Sequence, residues 1–175
     1  MASMAHLGVG LAAKRVAPRV PVLVLIVAAY AIDLIWGVFF FFGIEHMPEA
    51  GAASVNPWSH GLLMASVWSL LAGLITYAVS RNRGTGAVVG LMVFSHWVVD
   101  FISHPMTAVF AGDTGLPLLF GGSPTVGLGV WSTPLGVNIG EYGSLAVGLA
   151  LYVWTVWETR QKKTQRKVIE KNVHE

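Results

Sequence analysis

The chain has 175 residues, is 54% hydrophobic and only 11% charged, and carries a formal net charge of +2. A charged share less than half the usual level of about 25% excludes an ordinary water-soluble core and points to a small polytopic membrane protein. No cysteine is present, which excludes disulfides, iron–sulfur clusters and thiolate zinc sites and restricts any metal site to His, Asp and Glu.

In chain order, residues 1–19 are small and Gly/Ala-rich, with His6 followed by Lys14, Arg15 and Arg19. Residues 20–42 are a long apolar run interrupted by Asp33. Ala29-Tyr30-Ala31 has the look of a signal-peptidase site, but the apolar run continues to Phe42 and reads as an uncleaved span. Residues 43–58 form a polar loop with Glu45 and His46, both read as loop residues. The second span, 59–80, opens on Ser59-His60, with Ser59 a candidate helix cap. A basic turn, Arg81-Asn82-Arg83-Gly84, leads to the third span, 85–104, closed by Pro105. Residues 105–136 are rich in Gly and Pro yet too apolar for disorder, and are expected to pack as an outer cap. The fourth span, 137–157, carries Glu141 near its start, and residues 158–175 are a basic tail with six Lys/Arg, expected to be helical at the membrane surface.

The expected fold is therefore all-α: one four-span domain over 1–157 with a short N-terminal half-helix and an apolar outer loop, then the tail. Lys and Arg gather at the N-terminus, the 81–83 turn and the tail, so both termini are expected on the cytoplasmic side of the inner membrane. The pI near 9.1 comes without a basic, aromatic-interleaved patch, which fits membrane lipid as a partner rather than nucleic acid. The pairs Gly86/Gly90 and Gly136/Gly140 have the spacing of close helix contacts. A homo-oligomer is compatible with a chain of this kind.

The polar residues inside the spans carry the functional signal. His96, Asp100 and His104 stand four apart, each step turning by only about 40° on a helix, so they form one stripe. Ionisable groups in a bilayer cost about 2.5–3.5 kcal/mol each on insertion scales and need partners. Placed by depth, Asp33, His60, the stripe and Glu141 all fall in the outer half of the bundle, and a half-helix over residues 5–13 would bring His6 to the same layer. Neutral imidazole with carboxylate suits zinc, or manganese or ferrous iron. Asp33, His60, His96 and Asp100 make a complete four-ligand set. Asp100 can bridge to a second ion, held with His6, or with His104 and Glu141. Glu141 is a further ligand or a general base. The competing readings are a proton or metal-ion passage lined by the same residues, and a structural hydrogen-bonded cluster.

These pieces also resemble the membrane-bound metal-dependent hydrolases described as LexA-binding inner-membrane-associated hydrolases, themselves similar to zinc-dependent phospholipase C. The resemblance rests on His6 before a Gly/Ala-rich stretch, Asp33 late in an apolar helix, Ser59-His60 opening a helix, and Ser95-His96…Asp100…His104. It implies a principal zinc site of Asp33, His60, His96 and Asp100, with His6 joining Asp100 at a second ion and His104 and Glu141 as the remains of a third. The implied substrate is a phosphoester in a lipid or lipid-linked molecule.

Overall fold

The structure, a computed structural model, describes residues 3–46 and 56–173, and is mostly helical. The described helices are α1 (Ser3–Ala12), α2 (Val22–Ala29), α3 (Ala31–Phe41), α4 (Leu62–Ser80), α5 (Arg83–Ser103), α6 (Pro134–Asn138) and α7 (Ser144–Val173). Three helical stretches are long and apolar enough to cross a membrane: Leu62–Ser80, Arg83–Ser103 and Pro134–Arg166. A fourth span results if α2 and α3, bent by 51° at Tyr30, are counted as one.

α5 is the central element. A third of its apolar window is buried, against 11% for each of the other two. α4 instead exposes Leu63, Val67, Leu70, Leu71, Leu74 and Ile75. An apolar helix face left bare in this way suits contact with lipid chains, which have the polarity of leucine. The main core lies under α5, where Val89, Met92 and Val93 pack on Leu25, Ala28, Ala29 and Ile32 of the bent pair.

Glycine sets the tightest contacts. A side chain at Gly86 would come within 2.7 Å of the Gly73 carbonyl, and one at Gly90 within 2.9 Å of the Ser69 carbonyl, so α4 and α5 touch backbone to backbone. A side-chain carbon on Gly148 of α7 would lie 2.1 Å from the Gly8 carbonyl of α1, which seats the short α1 directly on α7. The Gly136/Gly140 pair serves a different contact from the helix pairing its spacing suggests. A side chain at either would strike Val130 or Trp131 of the loop that follows α5.

The loop between α5 and α6 is packed, as its apolar composition leads one to expect. It contains a two-stranded antiparallel ladder, β1 (Leu116–Pro117) with β2 (Thr125–Val126), pairing Leu116 with Val126. Met106, Leu116 and Trp131 are buried, and the Leu118 carbonyl accepts the Leu63 amide of α4. At the opposite end, Arg15 pairs with Glu158 and its guanidinium lies 5.1 Å over the Trp154 ring. Residues Val16–Val20 line a shared groove with Asn82, Gly84 and Thr85. The basic N-terminal segment, the basic turn and the start of the tail thus meet at one end of the bundle. α7 runs on unbroken to Val173, so the tail continues the axis of the last span rather than turning at residue 158.

Candidate metal centre

Five of the seven sequence-nominated residues converge near the C-terminal end of α5. His96 and Asp100 project from α5, one helical turn apart. His6 comes from α1, Asp33 from the first turn of α3, and His60 from the turn that precedes α4. The ligand atoms of Asp33, His60 and His96 lie within 4.8 Å of one another, as do those of His6, His96 and Asp100.

The contacts form a closed pattern. His60 Nε2 lies 3.4 Å from Asp33 Oδ1 and 3.5 Å from Asp100 Oδ2. His96 Nε2 lies 3.6 Å from the same Asp33 oxygen and 3.3 Å from the same Asp100 oxygen. These four separations join two imidazoles and two carboxylates in a closed ring. Neighbouring ligands bound about 2.0–2.2 Å from a tetrahedral zinc stand about 3.3–3.6 Å apart, so each adjacent pair in the ring is spaced as two ligands of one ion. The other carboxylate oxygen, Asp100 Oδ1, lies 3.3 Å from His6 Nε2. The His6 ring stacks on His96 with centroids 3.8 Å apart and planes inclined by 11°.

The hydrogen bonds show which atoms are kept for the centre. His96 Nδ1 donates to the Ala29 carbonyl at 2.8 Å. A carbonyl only accepts, so Nδ1 carries the proton and Nε2 of the neutral ring presents its lone pair. That carbonyl closes α2 at the Tyr30 break, and the 51° bend also starts the helix that carries Asp33. Broken helices inside a bilayer are tolerated where the freed backbone groups find protein partners. Here the break supplies both an acceptor for His96 and the Asp33 corner. His6 Nε2, His96 Nε2 and Asp100 Oδ1 are fully buried without an aligned hydrogen-bond partner among the described residues. Each such atom costs about 1–3 kcal/mol unless something else satisfies it. Three of them facing one another are what a buried cation requires.

His104 and Glu141 are not brought into this cluster. A residue preceding proline avoids the helical conformation. α5 accordingly ends at Ser103, and His104 is extended at φ −74° and ψ 149°. The stripe therefore stops at Asp100. His104 Nδ1 instead lies 2.7 Å from Asp113 Oδ2, whose carboxylate also accepts the amides of Met106 and Gly115. Glu141 sits in a single π-turn, Ile139–Gly143, between α6 and α7. Its Oε2 accepts the Met4 amide at 2.7 Å and the Ala5 amide at 2.9 Å, capping the start of α1. Glu141 thus holds the helix that bears His6, which satisfies two of that helix's free amides and matches its positive end.

One residue near the centre escaped the reading of the sequence. Glu45, expected in an open loop, is 3% exposed and bonds to Ser59 beside His60. Ser59 in turn does not cap α4, whose N-cap position is Gly61. The side chains of Asp33 and His60 are 19% and 14% exposed, while those of His6, His96 and Asp100 are at most 4%. The centre is thus reached from the Asp33–His60 side. Next to Asp33 on α3, Trp36 and Phe40 stack at 5.3 Å. No protein-family model, curated protein or solved structure matches the chain.

Proposed function

We propose that this chain is an integral membrane metal-dependent hydrolase acting on a phosphoester in a lipid or lipid-linked substrate. The observation that carries the reading is the closed ring of His60, His96, Asp33 and Asp100 contacts, with the orphaned His96 Nε2 and adjacent ligand separations suited to a tetrahedral ion. Asp33 Oδ1, His60 Nε2, His96 Nε2 and Asp100 Oδ2 would hold zinc, or manganese or ferrous iron in its place. Asp100 Oδ1 and His6 Nε2 would contribute to a second ion. When bound, such an ion brings the pKa of its water to about 7 and so supplies hydroxide at neutral pH.

The chain's own residues set the rest. Asp100 holds both positions together through its two oxygens. The more exposed Asp33–His60 side admits substrate, and the apolar faces of α3 and α4 favour one that arrives from the lipid. Glu141, with its carboxylate committed to α1, acts by holding His6 rather than as a general base. The same residues lining a passage for metal ions or protons is the competing reading. Against it stands the lining of the groove between α4 and α5, where Leu70, Leu74, Ala87, Leu91 and Phe94 offer an ion no polar path.

The test uses detergent-purified protein with a fluorogenic phosphomonoester, a phosphodiester and a defined glycerophospholipid. Hydrolysis that a chelator removes, zinc or manganese restores, and Asp100→Ala abolishes is the expected result. Folded, metal-loaded protein that hydrolyses none of these, but moves zinc or protons across proteoliposomes, would replace the hydrolase with a carrier.

A further inference from the structure

His96 is oriented by a backbone carbonyl, but among the described residues no carbonyl serves His60, which sits in a turn rather than on a helix. Its Nδ1 lies 2.7 Å from Ser59 Oγ, and that hydroxyl donates to Glu45 Oε2 at 2.5 Å. The hydroxyl proton is therefore committed to the carboxylate, and the oxygen facing the imidazole is an acceptor. His60 Nδ1 must then be the donor, which leaves Nε2 with its lone pair toward Asp33 and Asp100.

Glu45 is built into this position from both sides. Gly43, at φ +69°, ends α3 in a left-handed turn in which the Ile44 and Glu45 amides both bond back to the Phe39 carbonyl. The turn aims the carboxylate at the start of the next helix. There Oε1 accepts the Trp58 amide at 2.8 Å and the Ser59 amide at 3.0 Å. A carboxylate this buried costs several kcal/mol unless its oxygens are satisfied, and three donors from Trp58 and Ser59 do so.

We propose that Glu45 is a positioning residue for the metal centre: through Ser59 it selects the His60 tautomer that presents Nε2 as a ligand and locks the ring toward Asp33 and Asp100. This rests on the metal-binding reading above. Carboxylates that orient a metal-bound histidine are typically worth about 10–100-fold in metal affinity, and here the effect is relayed by one hydroxyl.

Glu45→Gln is the decisive variant because it is isosteric and reverses the relay. An amide that keeps its oxygen on the Trp58 and Ser59 amides turns its NH2 toward Ser59 Oγ. The hydroxyl proton then points at His60 Nδ1, and the ring proton moves to Nε2, where it blocks coordination. Ser59→Ala is the companion. It removes the relay and leaves Glu45 on the two amides. Zinc affinity is measured by chelator competition on the full chain in detergent, and cobalt(II) absorption reports the ligand geometry. The expected result is zinc binding weakened about 10–100-fold in both single variants, no further loss in the double variant, and a changed cobalt spectrum. The melting temperature of the metal-free Glu45→Gln protein should stay at the wild-type value. Wild-type affinity and spectrum in either single variant would overturn the proposal while leaving the metal centre standing. Wild-type protein that binds neither ion would remove both.

Discussion

Asp100 illustrates what one side chain can do when both its oxygens are buried. Oδ2 faces His60 and His96, Oδ1 faces His6, and no aligned hydrogen bond satisfies Oδ1 among the described residues. Its importance was readable in the sequence, because a lone carboxylate between two histidines in an apolar run has few bland explanations. His104 looked equivalent by spacing, and the conformational demand of Pro105 took it elsewhere. It became one half of a pair that ties down the loop after α5 with Asp113. The Asp113 side chain is nearly buried, and burial alone would raise its pKa. The His104 imidazole, together with the Met106 and Gly115 amides, outweighs that and holds it below the ordinary carboxylate value. A carboxyl whose pKa is lowered on folding stabilises the fold above its unfolded value of about 3.9, and that stabilisation is lost as pH falls through the lower folded value. Asp113→Asn should therefore cost about 1–3 kcal/mol at pH 7, the scale of bonds to a charged acceptor. The difference from wild type should shrink below pH 4. Thermal melts of both proteins across pH 3–7 check this, and a difference that grows on acidification would contradict it.

Among the elements, the long helices and the short N-terminal one were legible, and the break in the first apolar run was not. Apolar runs bounded by Arg81–Arg83 and Pro105 mark α4 and α5 within a few residues of their observed ends. The break at Tyr30 left no signal, since neither Pro nor Gly stands there, and the bend only makes sense once His96 is seen on the Ala29 carbonyl. The seating of α1 was equally hidden, because Glu141 lies more than a hundred residues from the amides it caps and a carboxylate near a span end has many uses. α1 depends on that cap and on the Gly8–Gly148 contact, and it carries a single residue of the centre. Gly148→Val should therefore push α1 from α7 and withdraw His6. Overpacking of this kind costs about 1–3 kcal/mol. The variant is expected to match His6→Ala in metal stoichiometry while α4 and α5 stay paired. Metal content and protease resistance measured side by side test this. Undiminished metal binding in Gly148→Val, against a loss in His6→Ala, would show that α1 does not need the contact.

At the scale of the whole molecule, two ends with different chemistry emerge. One gathers Lys14, Arg15, Arg19, the Arg81–Arg83 turn and the root of the tail. The other carries the packed loop and the His/Asp centre. Charge segregation of this kind is what the positive-inside rule would lead one to expect of a membrane protein, and the proposed chemistry lies in the half of the bundle away from the basic end. Asp33, His60, His96, Asp100 and His6 could be brought to one level from the sequence because a helix converts residue number into length at about 1.5 Å per residue, whereas the different partners of His104 and Glu141 left no such signal. Nor did Glu45, whose burial depends on a turn at Gly43 and on amides on the far side of the 47–55 segment. The chemistry proposed for this centre requires that it hold a metal ion. Elemental mass spectrometry of detergent-purified protein, prepared without chelators, tests it most directly, with wild type beside Asp100→Ala and His96→Ala. About one or two equivalents of zinc, manganese or iron in the wild type, lost in both variants, is the predicted result. Folded wild-type protein carrying no metal would contradict it, and would make the His/Asp cluster a proton relay or a structural hydrogen-bonded group.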